Sequence, residues 1–330
     1  MPAEWEAHQR CWMAWPCRTE LWGDALEPAR QVVADIADAI AGFEPVTMIA
    51  RPDLTASVSL YLPQGVSVLP IPHDDSWTRD TGPCFLLDAE GKLGGVAFRF
   101  NGWGETWTGY AQDARMAERI LEHAGARSFP SGLVLEGGAI QVDGEGTALV
   151  CESSVLDPRR NPGMSREEVE VELSQMLGLD RVIWLAHGLE DDGAGGHVEN
   201  VACYARPGVV LALTTEDEKD SNFAGLQANL EVLRQATDAR GRKIEVITLP
   251  QPKRRERADG RRSTMSYTSL YIANGGVIMP GFADSADKAA YRAVSTAFPG
   301  REVMQIDVTD LMPGGAGIHA ITRDQPAAPG

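Results

Sequence analysis

Four polar clusters each follow an apolar run. VSVLPIP leads into HDDSWTRDTGP (73–83), GLVLEGG carries Glu136, RVIWLA leads into HGLEDDGAGGHVEN (187–200), and VMQIDVTDLM leads into GGAGIHAIT (314–322). Together they offer carboxylates at Asp80, Glu136 and Glu199, with Asp74 or Asp75 as further candidates, rings at Trp77 and Trp103, and an imidazole at His197. Carboxylates grip a planar guanidinium through paired, charge-assisted hydrogen bonds, and tryptophan faces attract the same cation. Histidine exchanges protons near neutral pH. On a strand, alternation would project His197 and Glu199 to one side, an acid–base group beside a cation-binding one. Gly314, Gly315 and Gly317 let a ligand approach the backbone closely, yet this specialised loop ends on an unreactive side chain, Ala320.

Plainer readings compete at several positions. EDDG, residues 190–193, reads as a solvated acidic loop, and PKRRERADGRR, residues 252–262, as an exposed basic loop. Binding of an acidic partner or a substrate carboxylate by that basic run is the lesser reading. His8 and His73 read as ordinary polar residues. His187 and His197 with their neighbouring aspartates raise a metal, but no H-E-x-x-H, cysteine pair or EF-hand loop is present, so no metal site is expected. The five cysteines match no disulfide or zinc spacing and read as reduced, buried thiols.

A formal net charge of −17 disfavours nucleic acid and anionic membranes and favours cationic ligands. No apolar run is long enough to span a bilayer, and the N-terminus lacks the basic and apolar regions of a signal peptide. A cytoplasmic location is expected.

The elements that must position these clusters alternate. Amphipathic helices are expected at 24–42, 109–124, 165–177, 221–238 and 284–298, the third opening on a capping box, SREE. Each is soon followed by a strand: PVTMIA, GLVLEGGAI, RVIWLA, KIEVITL and EVMQIDV. Further strands lie in GGVAFRF, GTALVC, ENVACYARPGVVLAL and SYTSLYIANGGVIMPG. About five similar α/β units result, which excludes a helix bundle and an all-β sandwich. No G-x-G-x-x-G follows a strand and no phosphate-binding G-x-x-x-x-G-K-[ST] occurs, so nucleotide binding has no support.

The ordered motifs MPAEWEAHQRCWMAWP, DDSWTRDTGP, FNGWG, LEGGAI, GGHVENVACYARPG, YIANGGVIMPGF and GGAGIHAIT span residue 1 to about 326. In them the chain resembles the agmatine deiminase and bacterial-type peptidyl-arginine deiminase family. The resemblance implies a single pentein catalytic domain over residues 1–330, a five-fold pseudosymmetric α/β propeller around a central site. It also implies C–N hydrolysis of a small cationic guanidino substrate such as agmatine, giving a ureido product and ammonia, without metal or organic cofactor. A place in polyamine biosynthesis and a homodimer are further expectations.

In the family pattern a nucleophilic cysteine directly follows the I-H pair, the position of Ala320 here. The resemblance gives Asp80 and Glu199 the guanidinium and His197 the proton transfers. It makes Trp77 and Trp103 walls of the pocket, and Glu136 a second binder or a support. Three departures accompany the alanine. Glu199 stands where the family commonly has aspartate, Gly317 replaces an asparagine, and Gly193 and Ala194 replace an acidic residue and a threonine, with Asp191 or Asp192 as candidate substitutes for substrate binding. The preferred reading is a guanidine deiminase inactivated by Cys-to-Ala replacement. The alternatives are a natural, non-catalytic guanidinium-binding protein and an amidinotransferase, against which the motif order speaks.

Overall fold

The computed structural model describes residues 1–257, 259–315 and 317–328. The first unit contains β1 (His8–Ala14), α1 (Leu26–Ala41), β2 (Val46–Ala50) and β3 (Val66–Pro70). The second contains β4 (Cys84–Leu87), β5 (Leu93–Arg99), α2 (Met116–His123) and β6 (Arg127–Val134). The third contains β7 (Ile140–Val142), β8 (Thr147–Cys151), α3 (Arg166–Leu177) and β9 (Arg181–Leu185). The fourth contains β10 (Ala202–Arg206), β11 (Val209–Thr214), α4 (Phe223–Gln235) and β12 (Glu245–Pro250). The fifth contains β13 (Tyr271–Ala273), β14 (Gly276–Gly281), α5 (Asp287–Ala297) and β15 (Glu302–Asp307), after which β16 (Thr322–Pro326) ends the described strands.

One pairing rule governs all five. In each of the last four units the first two strands are antiparallel and the third lies parallel to the second. A parallel partner needs a long crossover, and the helix supplies it. The first unit borrows its antiparallel strand from the other end of the chain: β16 pairs with β1, Cys11 opposite Asp324 and Met13 opposite Thr322, giving the order β16-β1-β2-β3. This repetition makes the fold a pentein, the mixed α/β architecture that the family resemblance implies.

Local sequence explains most elements. α1 buries Leu26, Ala29, Val32, Val33, Ile36, Ala37 and Ile40, a stripe at three- and four-residue spacing. α3 starts where SREE places it: Ser165 Oγ accepts the Glu168 N–H, and the Ser165 N–H donates to Glu168 Oε2. Two expectations are corrected. The helix expected from 109 begins at Met116, after a 3₁₀ turn at Asp113–Arg115. The preceding backbone is drawn into tertiary bonds instead, with Asp74 Oδ2 accepting from the N–H groups of Gln112 (2.7 Å) and Asp113 (3.1 Å). The run GLVLEGGAI is not one strand. β6 ends at Val134 and the chain turns at Gly137–Ala139, where a Cβ on Gly137 would lie 2.1 Å from Arg323 Nη2 and 2.2 Å from the Arg79 carbonyl. The cysteines are free and buried, as expected.

Candidate active site

The site is assembled from the turns that open successive units. Thr78–Thr81 precedes β4, Gly137–Ala139 precedes β7, Val198–Asn200 precedes β10, and His319–Ile321 precedes β16. These turns pack against one another. The segment before β13 joins them: Thr268 Oγ1 donates to the Glu199 carbonyl at 2.7 Å, and the His319 N–H donates to the Ser269 carbonyl. Residues far apart in sequence therefore meet because the repeats place equivalent turns around one centre.

Trp77, Asp80, Trp103, His197, Glu199 and Ala320 line a common cavity. Trp103 stands edge-on to Trp77, ring centroids 5.1 Å apart, and its Nε1–H donates to Asp80 Oδ2 at 2.9 Å. To present that ring, Trp103 adopts φ 56° within a run of positive φ from Gly102 to Glu105. Left-handed backbone costs a bulky residue roughly 1–2 kcal/mol, and such strain concentrates at functional sites.

Asp80 Oδ1 accepts the Gly138 N–H at 3.0 Å and lies 3.7 Å from His197 Nδ1. Glu199 Oε1 lies 3.9 Å from the same nitrogen, too far for a hydrogen bond. His197 Nδ1 is thus buried, without a hydrogen-bond partner among the described residues, and flanked by two carboxylates. Its Nε2 faces Glu136 Oε2 at 3.4 Å.

A second layer holds these groups. Arg160 Nε donates to both oxygens of Glu136, at 2.9 and 3.0 Å, with both side chains fully buried. Glu199 Oε2 meets His319 Nδ1 at 2.5 Å, and His319 Nε2 meets the Glu4 carboxylate at 2.9 Å. Glu4 pairs in turn with Arg79, which also holds Asp324.

The charge states follow from this arrangement. Burial disfavours imidazolium at His197, but the negative charges of Asp80, Glu136 and Glu199 around it outweigh that penalty and raise its pKa well above the usual value. Asp80 is pushed up to about 6, first by burial and then by the neighbouring Glu199 and Glu136 charges, against the opposing pull of His197. Glu199 is also penalised by burial, yet its two histidine neighbours bring it down to about 2. Near neutrality the site holds a protonated imidazole among ionised carboxylates.

The sequence-derived candidates separate by where the fold places them. Asp80, His197, Glu199, Trp77, Trp103 and Ala320 converge. Glu136 is fully buried behind His197 and supports it without lining the cavity. Asp192 does line the cavity, but its Oδ1 accepts the Ala194 N–H and its Oδ2 those of Gly196 and His197, so it ties the loop. Gly317 lies outside the lining, and a Cβ there would sit 2.2 Å from Ser269 Oγ. Asp74 and Asp75 are spent on backbone and indole N–H groups away from the cavity.

Three local readings change. His197 and Glu199 are not on a strand; His197 precedes a 3₁₀ turn, and both reach the centre because the chain turns between them. EDDG is no solvated loop, since Asp191 accepts the backbone N–H of Arg262 and Glu190 pairs with Arg254. The basic run is not simply exposed: Arg262 is buried against Asp220, and Arg257 lines the cavity. Sequence reading also missed Trp107, Asn200, Arg160 and Glu4. The basic run itself was the signal for Arg257; nothing local singled out the others.

Gly138 packs directly against the charged groups. A Cβ there would lie 2.6 Å from His197 Nδ1 and 2.8 Å from Asp80 Oδ1 and from the Glu199 carboxyl carbon. In Gly138→Ala the methyl must displace these groups, and binding of any small cation they hold is expected to weaken about a hundredfold or more. Calorimetric titration checks this; unchanged affinity would contradict the geometry.

Residues 1–326 match the Porphyromonas-type peptidyl-arginine deiminase family. The agmatine deiminase of Stutzerimonas stutzeri strain A1501 is 40% identical over 351 residues, covering 99% of this chain and 95% of its own. That of Pseudomonas aeruginosa strain UCBPP-PA14 is 40% identical over 350 residues, with the same coverage. A solved structure of the agmatine deiminase of Enterococcus faecalis, described as catalysing its reaction, superposes with a TM-score of 0.96 at 32% identity, covering 100% of this chain and 96% of the other. The chain therefore belongs to the Porphyromonas-type peptidyl-arginine deiminase family.

Proposed function

We propose that the cavity binds the guanidinium group of a small molecule and that its architecture is that of a guanidine C–N hydrolase with alanine at the nucleophile position. The observation that carries this reading is that Asp80, Glu199 and Ala320 share one cavity with His197, whose Nδ1 has no hydrogen-bond partner among the described residues. The carboxylates hold the guanidinium nitrogens, and the tryptophans exclude water from the charges.

With a thiolate at position 320, sulfur attacks the central carbon to form a tetrahedral adduct. The C–N bond to one terminal nitrogen then breaks, and His197 gives that nitrogen its proton, so ammonia leaves and an S-alkylthiouronium remains. Water, losing a proton to His197, adds to the same carbon. The C–S bond breaks as the hydroxyl oxygen passes its remaining proton to the released ammonia, returning the thiolate and leaving the neutral ureido product and ammonium. Alanine has no electron pair for the first step, so the chain as it stands binds without turnover. Ala320 itself favours a second reading, a natural guanidinium-binding protein; substitution to cysteine separates the two.

Binding has a calculable pH dependence. The guanidinium needs Asp80 ionised, and Asp80 is pushed up to about 6. His197 stays protonated through this range, because its pKa is raised well above 6.5. Going from pH 7.5 to pH 5 takes Asp80 from almost fully ionised to roughly one molecule in eleven. Affinity for 1-butylguanidine, measured by calorimetry, is expected to fall by about tenfold over that interval. Affinity that holds steady or rises toward pH 5 would contradict the assignment.

A further inference from the structure

The guanidinium end of the cavity leaves open what the other end recognises. Beside the carboxylates and tryptophans, the lining also includes Gly193, Arg257 and Gly315. Gly193 offers no side chain, and a Cβ built on it meets nothing within 4 Å. Asp192 is the adjacent carboxylate, but it already accepts from three backbone N–H groups and from Asn200 Nδ2. Its oxygens are thus occupied, and Arg257 is the one guanidinium in the described lining.

Arg257 is placed firmly. Its Nη2 donates to the Asp191 carbonyl at 2.8 Å, and a Cβ on Gly315 would lie 3.8 Å from its Nη1. The segment carrying it is pinned nearby by Arg262, whose Nη1 and Nη2 grip Asp220 at 2.7 and 3.0 Å. Arg254, Arg261 and Arg262 of the same run each have a carboxylate within 4 Å. Arg257 has none among the described residues, and its Nε is buried without a hydrogen-bond partner there. A cation held in a cavity wall, with donors unspent, is arranged for an anion that is not part of the chain.

We propose that Arg257 selects guanidines whose far end carries a carboxylate, so that the cavity is a site for ω-guanidino acids rather than for dications such as agmatine. This rests on the guanidinium reading of the cavity. The head group meets Asp80 and Glu199, and the tail carboxylate meets Arg257. A distal ammonium would meet a like charge there, with no acidic side chain at position 193 to offset it.

The test titrates the protein calorimetrically with three ligands that share a four-carbon scaffold: 4-guanidinobutyrate, 1-butylguanidine and agmatine. Binding of 1-butylguanidine reports the head-group reading alone; the ranking reports the tail. 4-Guanidinobutyrate is expected to bind about tenfold or more tightly than 1-butylguanidine, and agmatine no more tightly than 1-butylguanidine. In Arg257→Gln the ratio of 4-guanidinobutyrate to 1-butylguanidine affinity should collapse toward one. Binding of 1-butylguanidine without any preference for the carboxylate, a preference for agmatine, or a carboxylate preference that survives Arg257→Gln overturns the proposal while leaving the head-group reading standing. Failure of all three ligands to bind overturns both.

Discussion

Ala320→Cys is expected to make the chain release ammonia and a ureido product from guanidines that it otherwise only binds. Turnover should rise on the order of 10⁴- to 10⁶-fold over the Ala320 protein, the scale on which loss of a nucleophile silences other covalent hydrolases. The side chain at 320 lies in the wall of the cavity that Asp80, His197 and Glu199 share. A thiol there would face a protonated imidazole and a bound cation, both of which favour thiolate. No existing cysteine can take its place: all five are buried outside this cavity, and burial pushes the thiols of Cys11, Cys17, Cys151 and Cys203 well up. The new activity should be lost on alkylation, protected by bound guanidine and indifferent to chelators. A coupled ammonia assay over a panel of guanidines reads it. Tight binding with no ammonia from any of them would identify a binding protein instead.

Arg160→Met is expected to cost about 3 kcal/mol of folding stability, because it leaves a buried carboxylate with His197 as its one remaining charged partner among the described residues. Glu136 is fully buried, and Arg160 Nε bonds both of its oxygens while Nη2 bonds the Ala194 carbonyl at 2.6 Å. The pair brings down the Glu136 pKa despite burial, together with His197. Removing the arginine therefore leaves an ionised group that the interior disfavours. Urea denaturation at pH 7 measures the loss, and adding Glu136→Gln should recover part of it. The deficit should also shrink as the pH is lowered, once the stranded Glu136 takes up a proton. A loss under about 1 kcal/mol, or no recovery in the double variant, would show that the pair does not carry the support assigned to it.

Much of this architecture was legible in the sequence because the units repeat. Helical periodicity located the core of every long helix, and the capping box fixed the start of α3 at one residue. Legibility failed where the chain leaves its own periodicity to serve a distant partner. Residues 109–112 pattern as helix but are claimed by tertiary contacts such as that between Asp74 and the Gln112 N–H. LEGGAI patterns as strand but turns, because two glycines must pass Arg323, Arg79 and the charged centre.

The site divides in the same way. Asp80, His197, Glu199 and the position of Ala320 sit in motifs whose residue types announce their chemistry. Glu4 is some 315 positions from the His319 it orients, and Arg160 lies 24 residues from Glu136; no spacing rule links either pair. Arg257 was visible as charge, but whether a basic run faces solvent or a cavity is decided by what docks beneath it, here Asp191 and Asp220.

The central claim is that a guanidinium binds among Asp80, Glu199 and His197 with its central carbon facing position 320. A crystal structure of the protein with 1-butylguanidine tests it most directly, since the Ala320 chain cannot consume the ligand. The account predicts guanidinium nitrogens within about 3 Å of carboxylate oxygens of both Asp80 and Glu199, the carbon turned toward the Ala320 Cβ, and the alkyl tail leading past Trp77 and Trp103 toward Arg257. A guanidinium bound elsewhere, or bound in the cavity without contact to Asp80 and Glu199, would contradict it.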